Sequence, residues 1–137
     1  MRIVIPTILV TLAGCTAQQS TGTSPTTADT SGSATVTVMM SSFSFDPDHL
    51  RLKVGQPVQL RLVNESNGGH NFSSPTFFAA STFPPGQSAP ANGTVEVPAL
   101  QTVDIALVPR QAGTYQLRCT HTLHDLFGMT GAIEVTP

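Results

Sequence analysis

From Ala34 to the C terminus, apolar residues recur at every second position: Val36 and Val38, Phe43 and Phe45, then Leu50, Leu52 and Val54 against Arg51 and Lys53. Val58, Leu60 and Leu62 repeat the pattern against Gln59, Arg61 and Val63. Successive side chains of a strand point to opposite faces, so a period of two buries one face of a strand and makes no stripe on a helix. The pattern returns at Val95 and Val97, at Val103, Ile105 and Leu107, at Tyr115, Leu117 and Cys119, and at Ile133 and Val135. Turn chemistry separates the runs at Asp46-Pro47-Asp48, Gly55-Gln56-Pro57, the polar corner Asn64 to Gly69, and Gln111-Ala112-Gly113. The expected fold is all-β, a sandwich of two sheets with about seven or eight strands in a single domain. Ser73 to Gly93 is the least regular part, and it reads as a long crossing loop with a helical turn at Thr76 to Ala80.

The first part of the chain has another composition. Residues 1–14 carry Arg2 and then the apolar run Ile3, Val4, Ile5 and Ile8 to Val10, too short for a permanent transmembrane helix, and read as an export signal. The signal ends in Leu12-Ala13-Gly14-Cys15, which resembles the bacterial lipobox and implies cleavage before Cys15 and acylation of its thiol. Residues 15–33 then comprise the lipidated cysteine and a Ser/Thr-rich tether with no aromatic or large aliphatic side chain. A tether of this kind has an end-to-end distance of about 20 to 25 Å. Residues 34–137 form the folded domain. The protein is therefore expected to be exported and to meet a membrane through lipid on Cys15. Charged residues make up 10% of the chain and the net charge is -2, which excludes an electrostatic grip on nucleic acid.

With Cys15 committed to lipid, Cys119 is the single thiol of the domain, and a disulfide is not expected. It opens the stretch Cys119-Thr120-His121-Thr122-Leu123-His124-Asp125-Leu126-Phe127-Gly128-Met129, which follows a strand end and puts thiolate, imidazole and thioether in one loop. A further imidazole, His70, follows the glycine-bearing corner at another strand end. Strand ends distant in sequence meet at one pole of a sandwich. A site that accepts both soft monovalent and harder divalent copper needs a thiolate, two imidazoles and a weak axial thioether, and these residues supply that set. Zinc is normally completed by four strong ligands, or by three and a water.

Cys119-x4-His124-x4-Met129, preceded by Gly69-His70-Asn71, resembles the type 1, or blue, copper site of the cupredoxins, the family of azurin, plastocyanin and rusticyanin. The resemblance extends through Phe45 to Val63 and the ending Gly113-Thr114-Tyr115…Gly128-Met129-Thr130-Gly131. It implies a Greek-key sandwich holding one copper ion, with His70, Cys119 and His124 as strong equatorial ligands and Met129 as the long axial one. The Gly69 carbonyl oxygen would approach from the opposite side. Asn71 and Thr120 would tie the two ligand-bearing segments together by hydrogen bonds. His121 is the alternative ligand, but it lies only two positions after Cys119, and the family pattern leaves at least two residues between Cys and His, which favours His124. His49, in the Asp48-His49-Leu50 turn, is expected to be solvated.

Leu123, Leu126 and Phe127, joined by Phe77 and Phe78, would surround His124 with apolar groups where a redox protein docks weakly. The function implied is a monomeric one-electron carrier. The alternative is copper storage, delivery or tolerance, with His121, Met39 and Met40 as extra ligands. Copper enzymes of this kind need a second metal centre, yet Arg118 and Thr120 flank the cysteine and no His-x-His pair occurs. No catalytic residues are expected.

Overall fold

A computed structural model describes residues 32–124 and 127–137. The expected signal 1–14, the lipidation site Cys15, nearly all of the tether and Leu126 lie outside the described residues. Along the chain the strands are β1 (Ala34–Ser41), β2 (Ser44–Asp46), β3 (His49–Lys53), β4 (Val58–Asn64), β5 (His70–Ser73), β6 (Ser81–Thr82), β7 (Thr94–Val97), β8 (Thr102–Pro109), β9 (Gly113–Arg118) and β10 (Thr130–Thr136). One five-stranded sheet has the order β2-β1-β4-β8-β6 and the other β3-β10-β9-β5-β7. Between β2 and β9 every connection crosses from one sheet to the other, as in a Greek-key sandwich. Strand β1 pairs in parallel with β4, from Ala34 opposite Val58 to Met40 opposite Asn64, and β3 pairs in parallel with β10.

The alternation is realised as inward and outward faces. Val58, Leu60 and Leu62 of β4 are buried and Arg61 between them is exposed, while Leu50 and Leu52 of β3 enter the core. Phe72, Leu117 and Ile133 of the other sheet have no exposed surface. Each such side chain contributes about 1.5–3 kcal/mol through burial. Four details differ from the sequence reading. Ten strands form among the described residues rather than about seven or eight, because β2 and β6 are only three and two residues long and carry no readable period. Val54 lies beyond the end of β3 and is exposed. His49 opens β3 instead of occupying a turn, and its Nε2 lies 3.6 Å from Glu134 Oε2. The helical turn is α1 (Pro75–Ala79), and it drives Phe77 and Phe78 into the core, away from any surface rim.

The pole that carries the chemistry is reached by the end of β4, the start of β5 and the end of β9, with His70 opposite Val97 of β7. The Ala34 end of β1 sits at the other pole, where its N–H donates to the Pro57 carbonyl at 3.2 Å. After Met129 the chain re-enters the sheet through Gly131, where a Cβ would overlap the Asp48 carbonyl oxygen, so only glycine lets β10 approach the start of β3 this closely.

Across β4 and β8, Arg61 donates to both Asp104 oxygens at 2.9 and 3.0 Å. These hydrogen bonds, with the guanidinium charge, hold the Asp104 carboxyl below its ordinary value. A lowered carboxyl stabilises the fold above the unfolded-state value near 3.9, and the contribution is lost as pH falls through the lowered one. Asp104→Asn is therefore expected to cost a small amount of stability at pH 7 and nothing once acid protonates the wild type. Denaturant midpoints for the two proteins at a series of pH values from 7 downward check this: the gap should narrow as the solution is acidified, and a gap that stays constant with pH would refute it.

Candidate metal centre

Each donor is placed by backbone structure. His70 is the first residue of β5, and the corner before it is held by Asn64, whose Nδ2 donates to the carbonyls of Gly68, Val97 and Pro98 at 2.8, 3.0 and 3.1 Å. Cys119 follows the last residue of β9, and its N–H donates to the Met129 carbonyl at 3.0 Å. The Met129 N–H donates in turn to the His124 carbonyl at 2.9 Å, and the His124 N–H to the His121 carbonyl at 3.0 Å. The loop is thus closed on itself, with Met129 clamped from both sides.

The side chains of His70, Cys119 and His124 converge. Their ligand atoms all lie within 4.8 Å of one another. His70 Nδ1 is 3.1 Å from His124 Nδ1, and Cys119 Sγ is 4.0 Å and 3.4 Å from those same atoms. Cys119 and Met129 have no exposed surface, His70 is buried, and His124 is half-buried. Among the described residues the Cys119 thiol is unpaired. Burial, followed by the neighbouring imidazoles of His124 and His121, lowers the His70 pKa and keeps its nitrogen lone pair available.

The surrounding hydrogen bonds fix this arrangement. The Asn71 N–H points at Cys119 Sγ at 3.5 Å. Asn71 Oδ1 accepts from the Thr120 N–H at 2.8 Å, and Asn71 Nδ2 donates to Thr120 Oγ1 at 2.9 Å. The tie expected between Asn71 and Thr120 therefore forms, and it locks the two donor segments together. Outer contacts of this kind orient ligands before a metal arrives. His121 stands apart from the cluster, with Nε2 2.9 Å from Glu96 Oε2.

Sequence reasoning missed two neighbours. Phe43, at a φ of 65° between β1 and β2, packs edge-on against His124 with ring centroids 5.1 Å apart and meets Phe127 at 5.2 Å. Together with Leu123 these rings form the exposed apolar rim for which the buried Phe77 and Phe78 are unsuited. Glu96 accepts from Asn71 Nδ2 at 2.8 Å as well as meeting His121. Burial opposes ionisation of Glu96, but hydrogen bonds from His121 and Asn71 outweigh it and lower the carboxyl pKa. The period of two marks Glu96 only as outward-facing; its place beside Asn71 comes from the β5–β7 register.

The donor chemistry fits one ion in particular. A buried unpaired thiol and two imidazole nitrogens on one point, in a loop that also holds a buried thioether residue, match the mixed soft and borderline set that copper accepts in both oxidation states. Among the described residues no helix is long and apolar enough to cross a membrane.

A family model described as a cupredoxin-like domain matches residues 5–133. Among solved structures, auracyanin B is similar, with 24% identity and a TM-score of 0.58, covering 76% of this chain and 89% of that one. A dithionite-reduced auracyanin from Roseiflexus castenholzii has 18% identity and a TM-score of 0.59, covering 77% of this chain and 98% of its own. Auracyanin A of Chloroflexus aurantiacus, described as a "blue" copper protein, has 22% identity and a TM-score of 0.55, covering 74% and 98%. At these identities the likeness is one of fold. No curated protein matches the chain significantly.

Proposed function

The chain belongs to the cupredoxin-like family, its cofactor is one copper ion, and from that premise we propose that it is an exported one-electron carrier. The observation that carries this reading is the meeting of two Nδ1 atoms and one buried Sγ within 4.8 Å. His70, Cys119 and His124 would be the strong ligands, Met129 the weak axial one, and the Gly69 carbonyl a weak fifth donor from the opposite side. Similarity of fold to a "blue" copper protein supports it.

Bound copper supplies the one-electron couple. The protein's part is to hold its donors still. Asn71 and Thr120 lock the two segments, the Asn71 N–H faces the sulfur, and the Cys119-to-Met129 clamp fixes the loop, so few atoms need move when the charge at the site changes. His124 is half-buried where His70, Cys119 and Met129 are buried, and Phe43, Leu123 and Phe127 near it offer an apolar rim on which a redox protein would dock briefly. Of the residues a copper-handling role would recruit, Met40 is core, His121 is bonded to Glu96, and Met39 is half-buried on β1. We read no catalytic turnover and a monomeric protein. We also propose that the mature chain begins at an acylated Cys15 and that residues 16–33 tether the domain to a membrane; the mass of the mature protein tests this, and an unmodified Cys15 refutes it.

The test of the electron-transfer reading is voltammetry of the protein loaded with one equivalent of Cu(II), together with its visible spectrum. A reversible one-electron wave and an intense thiolate-to-copper band are expected; a colourless protein, or one that binds only Cu(I), sinks the reading. Met129→Leu is expected to raise the potential with copper still bound, because a weak thioether donor favours the divalent state. An unchanged potential would remove Met129 from the axial position.

A further inference from the structure

Glu96 stands directly opposite Asn71 in the antiparallel β5–β7 pair, so the two side chains share a face. Its two oxygens are divided between two partners: Oε1 accepts from Asn71 Nδ2 at 2.8 Å and Oε2 meets His121 Nε2 at 2.9 Å. Both Asn71 Nδ2 hydrogens are thereby used, since the second is donated to Thr120 Oγ1, while Oδ1 accepts from the Thr120 N–H. The His121 ring lies over Gly69, where even a Cβ would come within 3.4 Å of its Cε1, and its centroid is 5.5 Å from that of His124. An imidazole this near, two residues after Cys119, is a competitor for the ion, and the carboxylate is the side-chain group that engages its Nε2.

We propose that Glu96 is a positioning residue: its carboxylate holds His121 off the copper position and leaves His124 as the imidazole that binds beside Cys119 and His70. This rests on the ligand set proposed above. Glu96 touches no ligand side chain. It acts through His121 on one side and through the Asn71–Thr120 tie on the other, and so decides which of two nearby histidines the ion meets. Its own side chain is 63% exposed, so its removal leaves the core intact.

The test uses the whole protein, first without metal and then with one equivalent of Cu(II). In metal-free Glu96→Ala the His121 ring resonances are expected to shift and average, and the Thr120 amide to exchange about tenfold faster, the scale of one lost hydrogen bond. In the loaded variant, electron paramagnetic resonance is expected to show two components: one like the wild type, and one with wider copper hyperfine splitting and a weaker thiolate band. Adding His121→Ala should return a single wild-type-like signal, because the competitor is gone. Glu96→Ala spectra that superimpose on wild type in both states overturn the proposal, as does a second component that persists in the double variant. Loss of the thiolate band in His121→Ala alone overturns the ligand set itself, an outcome separate from failure of the clamp.

Discussion

Cys119→Ser is expected to abolish the intense visible band and to weaken copper binding by more than about 100-fold, beyond the 10–100-fold typical of losing an outer partner of a metal ligand. The band comes from thiolate-to-metal charge transfer, and a serine hydroxyl, harder and un-ionised at neutral pH, neither produces it nor suits the monovalent ion. The substitution changes little else. Serine is nearly isosteric with cysteine, and the Asn71 N–H already aimed at the sulfur can donate to the new oxygen. Metal-free stability should therefore fall by only about 1 kcal/mol, the scale of one imperfectly matched buried polar group. Titration with Cu(II) followed by absorbance, beside thermal unfolding of the metal-free proteins, separates the two effects. A serine variant that kept the band would end the assignment of Cys119.

The largest effect on stability is expected at Phe72. This ring has no exposed surface and packs edge-to-face between Phe45 of the opposite sheet and Phe78 of α1, at centroid separations of 6.1 and 6.0 Å. Phe72→Ala removes the group that joins both sheets and the helical turn, and should cost about 3–5 kcal/mol. Small domains hold only about 5–15 kcal/mol in total, so the variant should be marginal. Because Phe72 follows His70 and Asn71 on β5, loosening it also loosens the donors. The donors converge only in the folded state, so Cu(II) should bind it more tightly than the unfolded chain and recover part of the lost stability by mass action. Denaturant unfolding with and without metal reads both quantities; a loss under about 1 kcal/mol would mean that the site collapses around the missing ring.

Much of this architecture was legible because alternation is a local property. The runs at Leu50 to Leu52, Val58 to Leu62, Val95 to Val97 and Tyr115 to Cys119 announce both the strand and its inward face. The convergence of His70 with Cys119 and His124 was inferable from the ligand spacing and the rule that strand ends share a pole. What was not legible depends on register and on positions without a period. Nothing in Thr94 to Val97 says that Glu96 will face Asn71, since that follows from which strand β7 joins. Phe43 reads as a strand residue, whereas it sits in a left-handed turn with its ring on His124. Phe77 and Phe78 sit in a polar, proline-bearing segment that suggests surface, but one turn of helix is enough to aim both inward. Parallel pairing of β1 with β4 leaves no local trace either.

That pairing gives the molecule a direction. Strand β1 enters beside Pro57 and ends at Ser41, two residues from the ring that covers His124, so its eight residues, about 26 Å at 3.3 Å each, measure the domain from base to tip. Anything joined upstream of Ala34 pulls on the base. Under the tether and carrier role proposed above, the ligand edge would look away from the point of attachment, and the proposed electron exchange would take place at the distal tip, with bodies that stand off from the anchoring surface.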